Sequence, residues 1–384
     1  MTSTKKVLFL FPDPPGFSGQ RVAAQMTCQA IDSDDRFSCT TVALPGFPKT
    51  GNRFVAVPLF IIKSLLAYFR FFVLSTFCHW DGLFVAVSQT QKAIARDQTL
   101  IRFFKIRHTN KPVVFRIDSS IFTRWDMEQP EAIKFRKLLT YCNAVSTLGP
   151  VQQTVLESKF VGKNVMVTTI PNTCEIDCLS EVEIANKHEA DEVTRVLHLS
   201  SLMEPKGYAH LLDATASPKR DFELVICGRL TQSAFDVRFN SIDQQKEHLE
   251  TLVDERANLK WIDGAIGDPK KRLFTDAHIF VFPSWYPVEA QPLVLLEAMA
   301  SGCAIITTGI GEIPFIVGED DAVIVEGQNI EQISDAIEEL VASPAKRKQL
   351  ALRGRQIFLE KFDFQSHQTA WRSLAEHHLL TTNN

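Results

Sequence analysis

At 384 residues the chain is too long for one ordinary hydrophobic core and suits two domains of about 170–190 residues. Hydrophobic residues make up 45% and charged residues 22%, which excludes a disordered or low-complexity chain. A formal net charge of −4 excludes a nucleic-acid binder that relies on overall basicity.

The apolar run Val7–Phe11 is too short for the core of a signal peptide and reads as a first strand, buried on both faces. The turn behind it, PDPPGFSGQRV, holds Gly16 and Gly19 and feeds a helix over Gln20–Ile31. Glycines between strand and helix let backbone come close to a phosphate, whose charge the helix N-terminus favours; an ordinary βα turn reads the same way. Ser38–Leu44 is a second strand. Pro58–Phe77 reads as a helix that is apolar nearly all round, with Lys63 and Arg70 seven residues apart on one face. Two charges near its middle argue against a transmembrane span. A helix packed between sheet and neighbours fits, as does a surface helix dipping into an anionic membrane.

Residues 83–88 give a third strand, 89–108 a polar helix, and 111–118 a strand ending at Asp118. Trp125–Tyr141 is helical, Ala144–Ser146 a short strand, and Val165–Ile170 the last strand of this half. The alternation predicts a doubly wound α/β domain around a parallel sheet. From Thr173 to Glu192 charges are many and the apolar spacing has no period, so the linker is placed there, after the turn Ile170-Pro171-Asn172. A second α/β unit follows. It has a strand at 196–201, the loop LMEPKGY, a helix over Ala209–Ala216, and a strand Glu223–Cys227 ending in Gly228-Arg229. A polar helix (235–257), a strand (259–264), a short helix in DPKKRLFTDA and a strand over His278–Pro283 come next. A strand at 322–326 precedes helices at 330–341, 345–360 and 364–380.

Between these, Ser284–Gly318 carries the chemistry. It presents Glu289 on a loop and Glu297 eight residues, about two helical turns, further on, and with a helix starting near Pro292 both carboxylates face a common cleft. A strand, a loop and a helix N-terminus in this order suit an anion. The eight cysteines are scattered; Cys174 and Cys178 have no second pair or histidine at zinc spacing, so no metal site and a reducing cytosol are expected.

These residues, in this order, resemble the retaining GT-B glycosyltransferases of the group 1 (family 4) type. The resemblance rests on the Gly16/Gly19 turn, Ile170-Pro171-Asn172, the loop ending in Lys206-Gly207, Gly264, Pro283-Ser284, Glu289 and Glu297, Ala298-Met299-Ala300, Gly302 and Gly311. It covers most of the chain. It implies a GT-B fold: two Rossmann-like, doubly wound parallel-sheet α/β domains (1–175 and 194–360), a linker (176–193), an interdomain cleft, and a terminal helix (361–384) returning to the first domain. It places Lys206 and the glycine turn at a donor diphosphate, Glu289 at the transferred sugar and Glu297 at the ribose hydroxyls. The backbone N–H groups of Ala290, Gln291 and Leu293 would grip sugar or phosphate. Ser201 stands where many relatives have arginine, and Arg229 is the residue that can compensate. Ala290-Gln291-Pro292 replaces glycine-aromatic-glycine. The acceptor-side histidine has no match; Asp118 lies near its place, to orient an acceptor hydroxyl or cap a strand end.

The resemblance implies a hexosyl transfer with retention, without metal or cofactor, from a nucleoside-diphosphate sugar to a glycan or lipid-linked acceptor. Donor groups would come from the second domain and acceptor groups from the first. Cell-envelope or capsular polysaccharide synthesis is the expected setting, in the cytoplasm at the inner face of the membrane, with residues 58–77 as an anionic-membrane contact. The alternatives are a catalytically silent GT-B scaffold, or a GT-B nucleotide-sugar epimerase or phosphorylase. A nucleotide-dependent oxidoreductase ranks last, because the chain has no G-x-G-x-x-G.

Overall fold

The structure, a computed structural model, describes residues 4–13, 19–47, 53–162, 164–189 and 193–380; Gly16 lies outside them. The chain divides into two units, Met1–Thr173 with Phe364–Asn384, and Cys174–Asp363.

The first unit runs β1 (Lys5–Asp13), α1 (Gly19–Asp32), β2 (Phe37–Pro45), α2 (Arg53–Phe77), β3 (Gly82–Ala86), α3 (Gln91–Arg107), β4 (Val113–Arg116), α4 (Pro130–Leu139), β5 (Ala144–Thr147), α5 (Pro150–Val155) and β6 (Met166–Thr169). The second runs α6 (Glu181–Glu189), β7 (Thr194–Leu199), α7 (Tyr208–Ala214), β8 (Phe222–Cys227), α8 (Ile242–Glu255), β9 (Leu259–Ile262), α9 (Asp268–Asp276), β10 (Ile279–Phe282), α10 (Leu293–Ala300), β11 (Ala304–Thr307), α11 (Ile313–Ile316), β12 (Val323–Ile324), α12 (Ile330–Ala342) and α13 (Pro344–Lys361). The last helix, α14 (Phe364–Leu379), belongs to the first unit.

Each unit holds one parallel six-stranded sheet, in the orders β2-β1-β3-β4-β5-β6 and β12-β11-β10-β7-β8-β9. The unbroken apolar runs follow from that burial. In β1, Leu8 and Leu10 face the layer of α2, α3 and α4, while Val7, Phe9 and Phe11 face α1 and α14. Each such side chain contributes about 1.5–3 kcal/mol. Trp371, on α14, packs against Phe84 at 6.2 Å between ring centres. Gly82 leaves room for the far end of the same helix: a Cβ there would stand 2.6 Å from Leu379 Cδ2.

Three expectations change. The segment read as a linker contains α6, whose apolar period is thin: Ile184 and His188, four residues apart, are buried, and Lys187 reaches in to donate to the carbonyls of Phe274 and Ser301 at 3.2 and 2.7 Å. The polar helix expected from 235 starts at Ile242, where Ser241 Oγ accepts from Gln244 N at 3.2 Å and sets the N-cap. Finally, α2 is not enclosed between sheet and neighbours. Its Ser64, Phe71 and Ser75 turn inward, and much of the rest faces out.

Candidate active site

In the second unit the strand order reverses between β7 and β10. In open parallel sheets ligands bind outside the carboxyl ends of the strands at such a reversal. The loops that leave β7, β8 and β10 therefore frame the candidate site.

After β7 the chain makes a single 3-10 turn over Glu204–Lys206 and enters α7 through Gly207, at φ 84°. A Cβ on Gly207 would stand 2.1 Å from the carbonyl oxygen of Pro283, so only glycine lets this loop lie on the end of β10. The Pro205 carbonyl accepts from Trp285 N at 2.9 Å and from Ser284 Oγ at 3.2 Å. On the other side, buried Glu204 accepts from Val237 N and Arg238 N at 2.7 and 2.6 Å. Lys206 thus projects from a loop fixed on both flanks.

Lys206 Nζ donates to Glu289 Oε2 at 2.6 Å and lies 5.4 and 4.9 Å from the ring centres of Phe282 and Tyr286. Glu289 Oε2 also accepts from Ser284 Oγ at 3.1 Å. The glycine turn after β11 backs this loop: Gly311, at φ 56°, leaves no room for a Cβ, which would come within 2.2 Å of the Glu289 carbonyl oxygen. Beneath the site His198 bridges β7 to β10, with Nδ1 2.9 Å from the Val281 carbonyl and Nε2 2.9 Å from Ser200 Oγ. Burial lowers its pKa to about 4 and keeps it neutral.

Ala290 and Gln291 are buried, and α10 begins at Leu293 with Pro292 as its N-cap residue. Glu297 sits one turn further in. Its Oε1 accepts from Lys270 Nζ at 2.5 Å, while Oε2 is buried with no hydrogen-bond partner. A buried acceptor left bare costs about 1–3 kcal/mol, more when charged, and a ligand hydroxyl would relieve that cost. Burial raises the Glu297 pKa and outweighs the opposing pull of the Lys270 ammonium.

Ser201 and Arg229 are exposed beyond β7 and β8. Leu202 N donates to the Arg229 carbonyl at 2.9 Å, which ties the two loops together. The second unit therefore gathers Ser201, Lys206, Arg229, Glu289, Ala290, Gln291, Leu293 and Glu297 around the carboxyl ends of its central strands. Gly19 and Asp118 belong to the first unit, where Gly19 opens α1 and Asp118 follows β4. Arg116 is fully buried and donates to Asp118 Oδ1 and Asn172 Oδ1, each at 2.6 Å, and to Thr27 Oγ1. Its guanidinium lies 5.6 Å from the centre of the Trp371 ring. Asp118 is thus an anchored carboxylate. Among the described residues, no group of three or more His, Cys, Asp or Glu is placed to hold a metal ion.

Sequence reasoning missed Lys270. A signal was present: DPKKR puts cations into the first turn of α9, against the helix dipole, and such a breach of a local rule tends to mark a functional position.

Two parallel six-stranded sheets with flanking helices make this a GT-B protein by fold. Sucrose-phosphate synthase from Thermosynechococcus elongatus superposes on 97% of this chain and 99% of its own, with a TM-score of 0.69 at 16% identity. Anabaena HepE, solved with UDP-glucose, superposes on 96% and 99%, with a TM-score of 0.68 at 16% identity. The family model described as glycosyl transferases group 1 matches residues 180–357, so the second unit is a group 1 glycosyltransferase domain. Alpha-maltose-1-phosphate synthase of Mycolicibacterium smegmatis is 26% identical over 190 residues, 47% of this chain and 45% of that protein. The chain thus spans about half the length of the curated relatives it matches.

Proposed function

We propose that the protein is a retaining glycosyltransferase that moves a hexosyl group from a nucleoside-diphosphate sugar to an acceptor hydroxyl. The observation that carries this reading is Glu297, whose buried Oε2 lacks a donor beside the start of α10. Vicinal ribose hydroxyls are donors of the right kind, since one carboxylate can accept from both. Lys206 stands ready to exchange part of its pairing with Glu289 for the diphosphate, and the α10 N-terminus adds its dipole to the same charge. The solved HepE complex with UDP-glucose supports a sugar nucleotide as the ligand class.

In the reaction the bond from sugar C1 to the phosphate oxygen breaks as C1 bonds to the acceptor oxygen on the same face. The acceptor proton passes to the departing phosphate, and the nucleoside diphosphate leaves. Lys206 stabilises the charge that grows on the leaving group, and Glu289 is placed for the transferred sugar. We infer a glycan or lipid-linked acceptor of cell-envelope polysaccharide synthesis, reached from the cytoplasm. The family resemblance supports that choice.

The test is a panel of UDP-, GDP- and ADP-sugars, read as nucleotide release and as a shift in melting temperature, with Glu297→Ala and Lys206→Ala alongside the wild type. The expected result is one donor that raises the melting temperature and is turned over, with both effects lost in Glu297→Ala. If no nucleotide or nucleotide sugar shifts the melting temperature, the reading fails. Binding without release under any acceptor mixture would favour a catalytically silent scaffold.

A further inference from the structure

Residues 54–77 carry an exposed apolar surface that the site does not use. Val55, Leu59, Ile62, Leu66 and Phe69 alternate at spacings of four and three and form one outward stripe of α2. Ile62, Leu66 and Phe69 are 54%, 62% and 66% exposed. A continuous apolar ridge of this kind marks a surface that something covers.

With 24 residues and a mean hydropathy of 1.9 over its most apolar 18, the segment is long and apolar enough to cross a membrane. The topology excludes a crossing. Both flanking strands, β2 and β3, pair with β1 in one parallel sheet, so α2 leaves that sheet and returns to it. A span would also carry Lys63 and Arg70 into hydrocarbon.

Charge identifies the occupant. The segment has no Asp or Glu, and α3 and α4 pack beside it on the same face of the sheet. Residues 54–77, 91–107 and 130–139 together hold ten Lys/Arg and two Asp/Glu, a net +8 in a chain whose total is −4, so the remainder carries −12. A second copy of the chain would set +8 against +8. An anionic bilayer offers hydrocarbon to the stripe and phosphate to the cations.

We propose that this face seats the first unit on an anionic membrane, with α2 in the plane of the interface and its stripe immersed by about 5–10 Å. Lys63 and Arg70 lie at headgroup level. The seat stands apart from the transferase reading, and its test uses no sugar transfer.

The full chain is mixed with vesicles of phosphatidylcholine alone, or with 30% phosphatidylglycerol, and bound protein is separated by flotation. Binding is expected to anionic vesicles, weaker in high salt and released by alkaline carbonate. Lys63→Gln/Arg70→Gln should weaken it about thirtyfold, from about tenfold to the half-power per 0.7 kcal/mol at about 1 kcal/mol per cation. Ile62→Ser/Leu66→Ser/Phe69→Ser should abolish it while the melting temperature and circular dichroism stay native. No flotation of the wild-type chain would overturn the proposal. So would unchanged binding of the triple serine variant, carbonate resistance, or a dimer that the same serines dissolve.

Discussion

Lys270 Nζ donates to Glu297 Oε1 at 2.5 Å, while the other oxygen of the same carboxylate is buried without a partner. The two residues lie 27 apart in sequence, one in the first turn of α9 and the other in α10. Their pairing makes the stability of this corner depend on the charge of Glu297. Lys270→Ala leaves a buried carboxylate alone and should cost about 2–4 kcal/mol in urea unfolding near pH 8. Burial already raises the folded-state pKa of Glu297 above the ordinary carboxylate range, and losing Lys270 raises it further. The penalty is therefore full above that raised value. It fades as pH falls toward the unfolded value near 4.3, where both states hold the proton. A cost that is constant from about pH 8 to pH 4.5 would show that the carboxylate is not its source.

Lys206→Ala should lower the rate of nucleotide release about 10²–10³-fold, the usual loss when one positioned donor to a leaving anion is removed. Glu289 keeps its bond from Ser284, so the fold should hold. Single-turnover kinetics with the identified donor provide the measurement, and a rate within about threefold of wild type would remove Lys206 from the diphosphate.

Gly207→Ala meets two obstacles, a φ of 84° and the Pro283 carbonyl oxygen 2.1 Å from the new Cβ. The left-handed backbone alone costs about 1–2 kcal/mol, so a loss of at least about 2 kcal/mol is expected in denaturant titration. The loop must shift, and nucleotide affinity should fall with it. An alanine variant as stable as wild type would contradict this packing.

His198 is neutral in the folded chain, its pKa lowered by burial from 6.5 to about 4. Above pH 6.5 both states are neutral and the residue contributes no pH dependence. Between 6.5 and about 4 the unfolded chain binds a proton that the folded one refuses, so stability falls as pH falls, by up to about 1.4 kcal/mol per unit. His188, His278, His367 and His378 are shifted in the same direction by burial. His198→Asn removes one of these terms. Whatever it costs at neutral pH, its plot of stability against pH between about 4 and 6.5 should be shallower than that of wild type.

Local chemistry made much of the second unit readable. β11 falls on Ala304–Thr307, because an apolar run between two glycine turns leaves little choice of boundary. α10 starts within a residue of the expected Pro292 for a similar reason. The helix α6 was hidden because two of its inward side chains are Lys187 and His188, which a count of apolar spacings passes over. For α2 the difficulty was reversed: apolar residues all round conceal which face is buried, and only the strands it packs against decide. Lys270 was hidden by distance, since its partner is supplied by the fold and no short window contains both residues. The Ser284–Gly318 stretch could be read as two carboxylates, whereas the cation held by each becomes visible only in three dimensions.

The return of α14 to the first unit fixes an order of assembly during synthesis. Every strand of that unit leaves the ribosome before the second unit begins, yet Trp371, Leu374 and Leu379, which pack with Phe9, Phe84 and Val114, emerge only after the whole of the second unit. The second unit is one uninterrupted stretch and can close as soon as it is made. Until α14 emerges, α1 alone covers the face of the first sheet that the two helices share, so nascent chains that stop short of α14 should be clients of chaperones that bind apolar surface.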